Sequence, residues 1–136
     1  MLLRATSPGA LLFVGDGHAA QGDGELTGNA LETSMDVEFT VTVIRNGARG
    51  QRGPRVENDE YLMSLGIAGS VQEALQNATT DLASWISRDY GLNPAEVSMV
   101  LGSSIRYDIA ELVDPNTNVV AKIRKQSLAT LKKVTQ

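Results

Sequence analysis

The chain has 136 residues, 42% of them apolar, and a formal net charge of −4. This length and apolar content predict one domain, residues 1–136, with a hydrophobic core, and the negative charge argues against a nucleic-acid-binding surface. Because the chain has no cysteine, disulfides, zinc fingers, iron–sulfur clusters and thiol catalysis are excluded. No apolar run approaches the roughly 18 residues of a membrane-spanning helix. We therefore expect a soluble cytoplasmic protein with neither nucleic acid nor membrane as a partner.

The first half of the chain predicts strands around a glycine-rich loop. Residues 10–14 form an apolar run after a Ser-Pro-Gly turn, which predicts a buried strand. The loop then continues to about Gly28. In residues 35–43, apolar and polar residues alternate, which predicts a strand with one solvent-exposed face. Residues 61–67 alternate in the same way and predict another strand, after an open loop at residues 50–54.

Two helices are predicted in the second half of the chain. Ser70 and Glu73 form a capping box at the start of the first helix. An apolar stripe at helical spacing follows, and Gly91 is the expected end. The second helix starts in residues 93–96, with a proline at its first position, and continues to about Gly102.

The last part of the chain returns to strands. Residues 105–113 and 119–123 predict two strands joined by an Asp-Pro-Asn turn. Residues 126–136 predict either a short basic helix or a frayed tail. The order of elements predicts an α+β fold, a largely antiparallel β-sheet or sandwich with two helices packed on one face.

The glycine-rich loop is the candidate functional site. Residues 15–25 contain four glycines, two aspartates, a glutamate, a glutamine and the only histidine of the chain, His18. The residue types suit a divalent metal, with His18 and carboxylates from Asp16, Asp23, Glu25 or Glu32 as ligands. A histidine with carboxylates suits zinc, iron or manganese, and oxygen ligands alone suit calcium or magnesium. An acid/base pair of His18 with Glu25 or Asp16, or a phosphate site, stays open.

Structural roles compete with these functional ones. A lone histidine in a small domain is often a surface or hydrogen-bonded structural residue. Four arginines surround the loop at residues 50–54 and could bind an anion, but a solvated loop is the preferred interpretation: Arg45, Arg49, Arg52 and Arg55. Trp85 lies on the apolar helix stripe and is predicted to be a core residue.

The site segment and its flanks resemble the acetamidase/formamidase family. Residues 15–25 closely resemble the family's hallmark segment, and the likeness extends to residues 8–11 before it and 28–33 after it. Further matching segments follow in the same order: Tyr61, residues 66–68, the helix with Trp85, residues 90–92 and residues 113–116. The chain is similar to the C-terminal portion of members, which are considerably longer. It has no match to their N-terminal Pro-Gly-Asn…Gly-Gly-Asn-x-Asp segment.

The resemblance implies an amidohydrolase that converts short linear amides, such as formamide or acetamide, to a carboxylic acid and ammonia. Several members bind a divalent metal, and metal-assisted water attack is the preferred mechanism. By residue type and loop position, Asp16, His18 and Glu32 are the candidate ligands, with zinc as the expected ion and calcium as the alternative. Glu25, His18 and Asp23 are then the catalytic residues, and Glu25 transfers a proton to the departing nitrogen. The resemblance further implies a cytoplasmic homo-oligomer. Because the chain matches only the C-terminal portion of members, three explanations stay open: it is a fragment of a longer enzyme, the other half of the site is a separate chain, or the protein has lost activity.

Two other functions stay open at this point. The first is a non-catalytic β-rich module that binds a metal or a small polar ligand through the same loop. The second is an assembly subunit that completes the active site of a partner.

Overall fold

The computed structural model describes residues 1–134 and has an α+β architecture. Its strands and helices, in chain order, are β1 (His18–Ala20), β2 (Leu31–Glu32), β3 (Arg55–Glu57), β4 (Tyr61–Ala68), α1 (Val71–Tyr90), α2 (Pro94–Ser104), β5 (Arg106–Glu111) and β6 (Thr117–Arg124). Short 3₁₀ turns lie at Asp23–Glu25 and Lys125–Leu128. Strands β1 and β2 form a two-stranded sheet, and the others form a four-stranded sheet in the order β3-β4-β6-β5. All pairings are antiparallel, which confirms the predicted fold class.

Both helices pack on one face of the four-stranded sheet. Along β4 and β6, every second side chain faces the helices, and these side chains form the core with Leu82, Ile86 and Leu101. The apolar residues that predicted β4 (Tyr61, Met63, Leu65 and Ile67) lie on the opposite face of the sheet. Trp85 is buried in the core, as the sequence predicts.

The helix ends follow the predicted capping signals. The Ser70 side chain accepts a hydrogen bond from the Glu73 backbone N–H, and Gly91 ends α1 in a left-handed conformation with φ of 65°. Asn93 and Glu96 form a reciprocal capping box at the start of α2, with Pro94 in the first turn. Within residues 1–134, no helix is both long and apolar enough to cross a membrane.

Two predicted strands are wrong. Residues 10–14 and 35–43 have no strand pairing among the described residues, and their large apolar side chains are exposed. In residues 35–43 the exposed fraction rises from 52% at Met35 to 82% at Val43. A strand needs a neighbour for its backbone hydrogen bonds, and no part of residues 1–134 pairs with these two segments. Both segments therefore have the composition of a strand, but the described residues contain no strand that pairs with them.

Three of the four arginines around the loop at residues 50–54 are exposed, as predicted for a solvated segment, and Arg55 is the exception. Arg55 begins β3, a strand absent from the sequence interpretation, and its side chain is buried against Asp81 of α1. The Arg55 guanidinium also lies 5.0 Å from the centroid of the Trp85 ring.

The last predicted element is only partly testable. A 3₁₀ turn at Lys125–Leu128 begins where the sequence predicts a short helix or a tail. Residues 135–136 of that prediction lie outside the described residues.

Candidate metal centre

His18 stands opposite Glu32, because β1 and β2 pair these two residues directly across the ladder. Nε2 of His18 lies 3.1 Å from a carboxylate oxygen of Glu32 and 3.3 Å from one of Asp16. Asp16 turns towards the histidine with a φ of 60°, in the left-handed region that few non-glycine residues adopt. One ligand atom from each of the three residues lies within 4.8 Å of the others, so a single ion could contact all three.

The imidazole of His18 is fixed through its other nitrogen. Nδ1 lies 2.8 Å from Oε1 of Gln21, while Nε2 is buried and has no hydrogen-bond partner among the described residues. The side chain is only 9% exposed, although its neighbours Asp16 and Glu32 are open to solvent. An unpartnered buried nitrogen among carboxylates leaves a polar atom unsatisfied. A cation between the nitrogen and the carboxylates would remove that deficit, so the donor set fits a divalent metal.

The surroundings also favour a positive charge on the ring. The hydrogen bond with Gln21 raises the pKa of His18 above its ordinary value of 6.5, against partial desolvation, and the charges of Glu32, Asp16 and Glu25 raise it further. The same electrostatic environment that holds a proton on the ring would attract a metal cation.

Glu25 lies behind this cluster, near the carboxyl group of Glu111 at the end of β5. Its carboxylate is 3.9 Å from Nε2 of His18. The contact with Glu111 is the main cause of a raised pKa at Glu25, and burial adds to it. The pKa of Glu111 is lowered, chiefly by the backbone N–H of Val113. Of the two carboxyl groups, Glu25 is therefore the one that keeps its proton to higher pH.

The structure brings together four of the five predicted site residues. Asp16, His18, Glu25 and Glu32 surround one point, whereas Asp23 is exposed in the 3₁₀ turn. Among the described residues, Asp23 makes no side-chain hydrogen bond or ion pair, but it lines an open hollow together with Glu25 and Asn29. Asp23 therefore lies at the rim of the cluster.

Sequence reasoning missed two groups that the fold supplies, the Gln21 side chain as a hydrogen-bond partner of His18 and the carboxyl group of Glu111. Glu111 is far from the loop in sequence and carries no motif of its own. It lies just after a register shift in the pairing of β5 with β6, between Ile109 and Glu111, and close enough to Glu25 to change its pKa. No sequence pattern indicates that shift.

Comparison with known proteins agrees with this fold. The model of the acetamidase/formamidase family matches residues 3–126. Acetamidase from Yersinia enterocolitica aligns over 82% of this chain and 33% of its own, with a TM-score of 0.64 and 28% identity. Acetamidase from Bacillus halodurans aligns over 84% of this chain and 38% of its own, with a TM-score of 0.61 and 20% identity. A predicted acetamidase/formamidase from Thermoanaerobacter tengcongensis is similar, with a TM-score of 0.61 and 16% identity.

The similarity to the Bacillus halodurans and Thermoanaerobacter tengcongensis structures, at 20% and 16% identity, shows the fold alone. No curated protein matches the chain. The chain spans about a third of the length of the solved acetamidases that it matches.

Fold and site define an α+β domain with a histidine and carboxylates gathered on a glycine-rich loop. The family match covers most of the chain. The protein belongs to the acetamidase/formamidase family.

Proposed function

We propose that this chain carries part of the active site of an amidase, and that the reaction is hydrolysis of short linear amides such as formamide and acetamide. Water is added across the C–N bond, which yields a carboxylic acid and ammonia. The observation that carries the proposal is Nε2 of His18, which is buried, unpartnered among the described residues and surrounded by three carboxylates. Family membership and the acetamidases of similar structure supply the substrate class.

Asp16, His18 and Glu32 are the proposed ligands of a divalent metal, with zinc as the first candidate and calcium as the alternative. A bound ion of this kind polarises a carbonyl group and lowers the pKa of water. The mixed nitrogen and oxygen donors favour zinc, since calcium prefers oxygen ligands alone. His18 has the further role of holding the ion, through Nε2, at the point where the amide reacts.

Glu25 is the proposed proton donor to the departing nitrogen. Its raised pKa keeps the carboxyl group protonated to higher pH than that of Glu111, and its position beside His18 directs it towards the cluster. The donated proton converts the amide nitrogen into a better leaving group. Asp23 completes the proposed catalytic set from the rim, where it could contact a substrate in the hollow that it lines.

The remainder of the proposed site lies outside residues 1–136, in the equivalent of the part of the solved acetamidases that this chain does not cover. In support, the exposed apolar segments at residues 10–14 and 35–43 have the composition of strands but no partner among the described residues. The assembled protein is a homo-oligomer in the cytoplasm, with residues 1–136 as one domain. Its small-molecule partner is the amide, and neither nucleic acid nor membrane takes part.

One experiment tests the metal and the reaction separately. Metal content is measured in the purified chain and in His18→Ala, with Glu38→Gln as the control that removes an exposed carboxylate outside the cluster. Ammonia release from formamide and acetamide is measured with the chain alone and after co-expression with the upstream reading frame. We expect metal in the wild type and Glu38→Gln, none in His18→Ala, and ammonia in the co-expressed preparation. Equal metal content in His18→Ala would remove His18 from the ligand set.

The same experiment separates the two rival functions. Metal binding without ammonia release in either preparation would favour a non-catalytic binding module. Ammonia release only after co-expression, with none from the chain alone, would favour an assembly subunit whose loop completes the active site of a partner.

A further inference from the structure

Gln21 connects the imidazole of His18 to the four-stranded sheet. Its Oε1 lies 2.8 Å from Nδ1 of His18, and its Nε2 donates a hydrogen bond of 2.8 Å to the backbone carbonyl of Ala110 in β5. We infer that Gln21 is a positioning residue that selects the Nδ1–H tautomer of His18 and thereby turns the Nε2 lone pair towards the carboxylates. The role of this tautomer in metal binding rests on the proposed metal site. The choice of tautomer itself follows from the hydrogen bonds alone.

The chemistry follows from the direction of the two hydrogen bonds. Because a carbonyl oxygen only accepts, the Gln21 group that faces Ala110 must be the NH₂ group, and its oxygen must face His18. An amide oxygen also only accepts, so Nδ1 of His18 must donate. In the neutral ring the other nitrogen, Nε2, then carries the lone pair. A ligating histidine needs this second, orienting hydrogen bond to fix its tautomer and its ring plane.

The fold leaves the Ala110 carbonyl free for this role. Strand β5 pairs regularly with β6 up to Ile109, the register then shifts, and Ala110 has no partner residue in β6. Such irregularities at the end of a strand re-aim backbone groups beside functional sites. A second connection lies close by, where the Leu112 N–H donates to the carbonyl of Gly24 over 3.0 Å. The loop that carries His18 is therefore connected to the end of β5 by the Gln21 side chain and by a backbone hydrogen bond.

The tautomer can be read directly, since His18 is the only histidine in the chain. The protein is labelled with ¹⁵N in histidine alone, freed of metal, and its imidazole nitrogens are recorded by NMR at a pH where the ring is neutral. We expect a protonated Nδ1 and an unprotonated Nε2 in the wild type. A ring protonated mainly at Nε2 would overturn the inference without any variant.

Variants at residue 21 test the cause. Gln21→Met removes both hydrogen bonds and should shift the ring to mainly Nε2–H, the tautomer that a free imidazole side chain prefers. Gln21→Glu keeps an acceptor for Nδ1 and should retain Nδ1–H. Gln72→Met, at an exposed glutamine of α1, is the matched control and should leave the spectrum unchanged. Since Gln21 is exposed and outside the core, these variants should fold; an unchanged tautomer in folded Gln21→Met would refute the role of Gln21.

Zinc binding supplies the functional readout. Loss of an orienting partner lowers metal affinity by about 10- to 100-fold, and we expect a loss of that size in Gln21→Met with partial recovery in Gln21→Glu. Wild-type affinity in folded Gln21→Met would contradict the positioning role. If the tautomer shifts as expected but the wild type binds no zinc, Gln21 still positions His18 and the proposed metal site is what fails.

Discussion

Arg55 and Asp81 form an ion pair inside the protein. Nε of Arg55 donates to Asp81 over 2.7 Å, and both side chains are almost completely buried. Asp81 also accepts hydrogen bonds from the Ser64 hydroxyl and from the Arg52 backbone N–H. Burial alone would raise the pKa of Asp81, but these hydrogen bonds, led by that of Arg55, outweigh it and hold the pKa below its ordinary value of 3.8. The pair joins the edge strand β3 to helix α1 and keeps Asp81 ionised.

Replacing Asp81 with alanine should be strongly destabilising. The change leaves the Arg55 charge buried without a partner, and breaking a buried pair in this way costs about 3–5 kcal/mol of the free energy of unfolding. Asp108→Ala is the control, because its pair with Lys122 is at the surface and is worth about 1 kcal/mol or less. Urea denaturation measures both. Equal losses in the two variants would show that burial of the Arg55 pair has no special energetic weight.

Gly66 allows α1 to lie directly on β4, and Gly66→Ala should disturb that contact. A Cβ atom at residue 66 would be 1.8 Å from the backbone oxygen of Ala74 and 2.6 Å from the nitrogen of Ala78. Because backbone atoms of a helix cannot move away singly, we expect a loss of about 1–3 kcal/mol or more. In Gly69→Ala the added methyl group meets no described atom within 4 Å, so thermal unfolding should stay close to that of the wild type. A stable Gly66→Ala protein would mean that α1 can shift on the sheet.

Gly24→Ala should displace the site loop from β5. Gly24 has a φ of 74°, and a Cβ there would lie 2.7 Å from the Leu112 side chain. Gly28→Ala is a matched control, because its φ of 66° brings similar backbone strain while its Cβ would lie at an ordinary 3.5 Å from Val113. The strain costs each variant about 1–2 kcal/mol. Only Gly24→Ala should also weaken zinc binding, measured by competition with a chelating dye; the prediction fails if both variants bind zinc equally.

Zinc binding should weaken as the pH falls through the pKa of His18. The metal needs the unprotonated Nε2, so protons compete with it. Since the pKa of His18 is raised above 6.5, the loss should begin at a higher pH than for an ordinary histidine. Below that pKa, the competition of one proton with one ion weakens binding by about tenfold per pH unit. Calorimetric titrations across the neutral range measure this slope. A pH-independent affinity would indicate oxygen ligands only, without His18.

The sequence predicted those elements whose signals are local. The cap at Asn93 and the end of α1 at Gly91 depend on neighbouring residues, and both are confirmed. Of the capping box predicted at Ser70, the bond from the Glu73 N–H to the Ser70 side chain is present among the described residues. The predicted strand at residues 35–43 is wrong because an alternating pattern indicates only that a segment could form a strand. It does not indicate whether a neighbouring strand is present to pair with it. Arg55 was misassigned for a related reason. Its burial depends on Asp81, which lies on another element and gives no signal within the loop.

In the candidate site, too, the residues with local sequence signals were predicted and those that depend on distant elements were not. His18, Asp16 and Glu32 lie within one short stretch, and the residue types alone indicated metal chemistry. Glu111 is far from this stretch in sequence, so only the fold shows that it lies near Glu25. The hydrogen bond from Gln21 to Ala110 joins residues far apart in sequence, so only the fold could place it.

The three candidate ligands all lie between Asp16 and Glu32, and neither helix contributes one. Closing so short a stretch of chain around an ion has a small entropic cost, since that cost grows only with the logarithm of loop length. Loss of the ion would therefore remove contacts within this stretch while the packing of the helices on their sheet stays in place. Ion release would appear as faster hydrogen exchange in residues 15–32, while the amides of α1 and β4 stay protected.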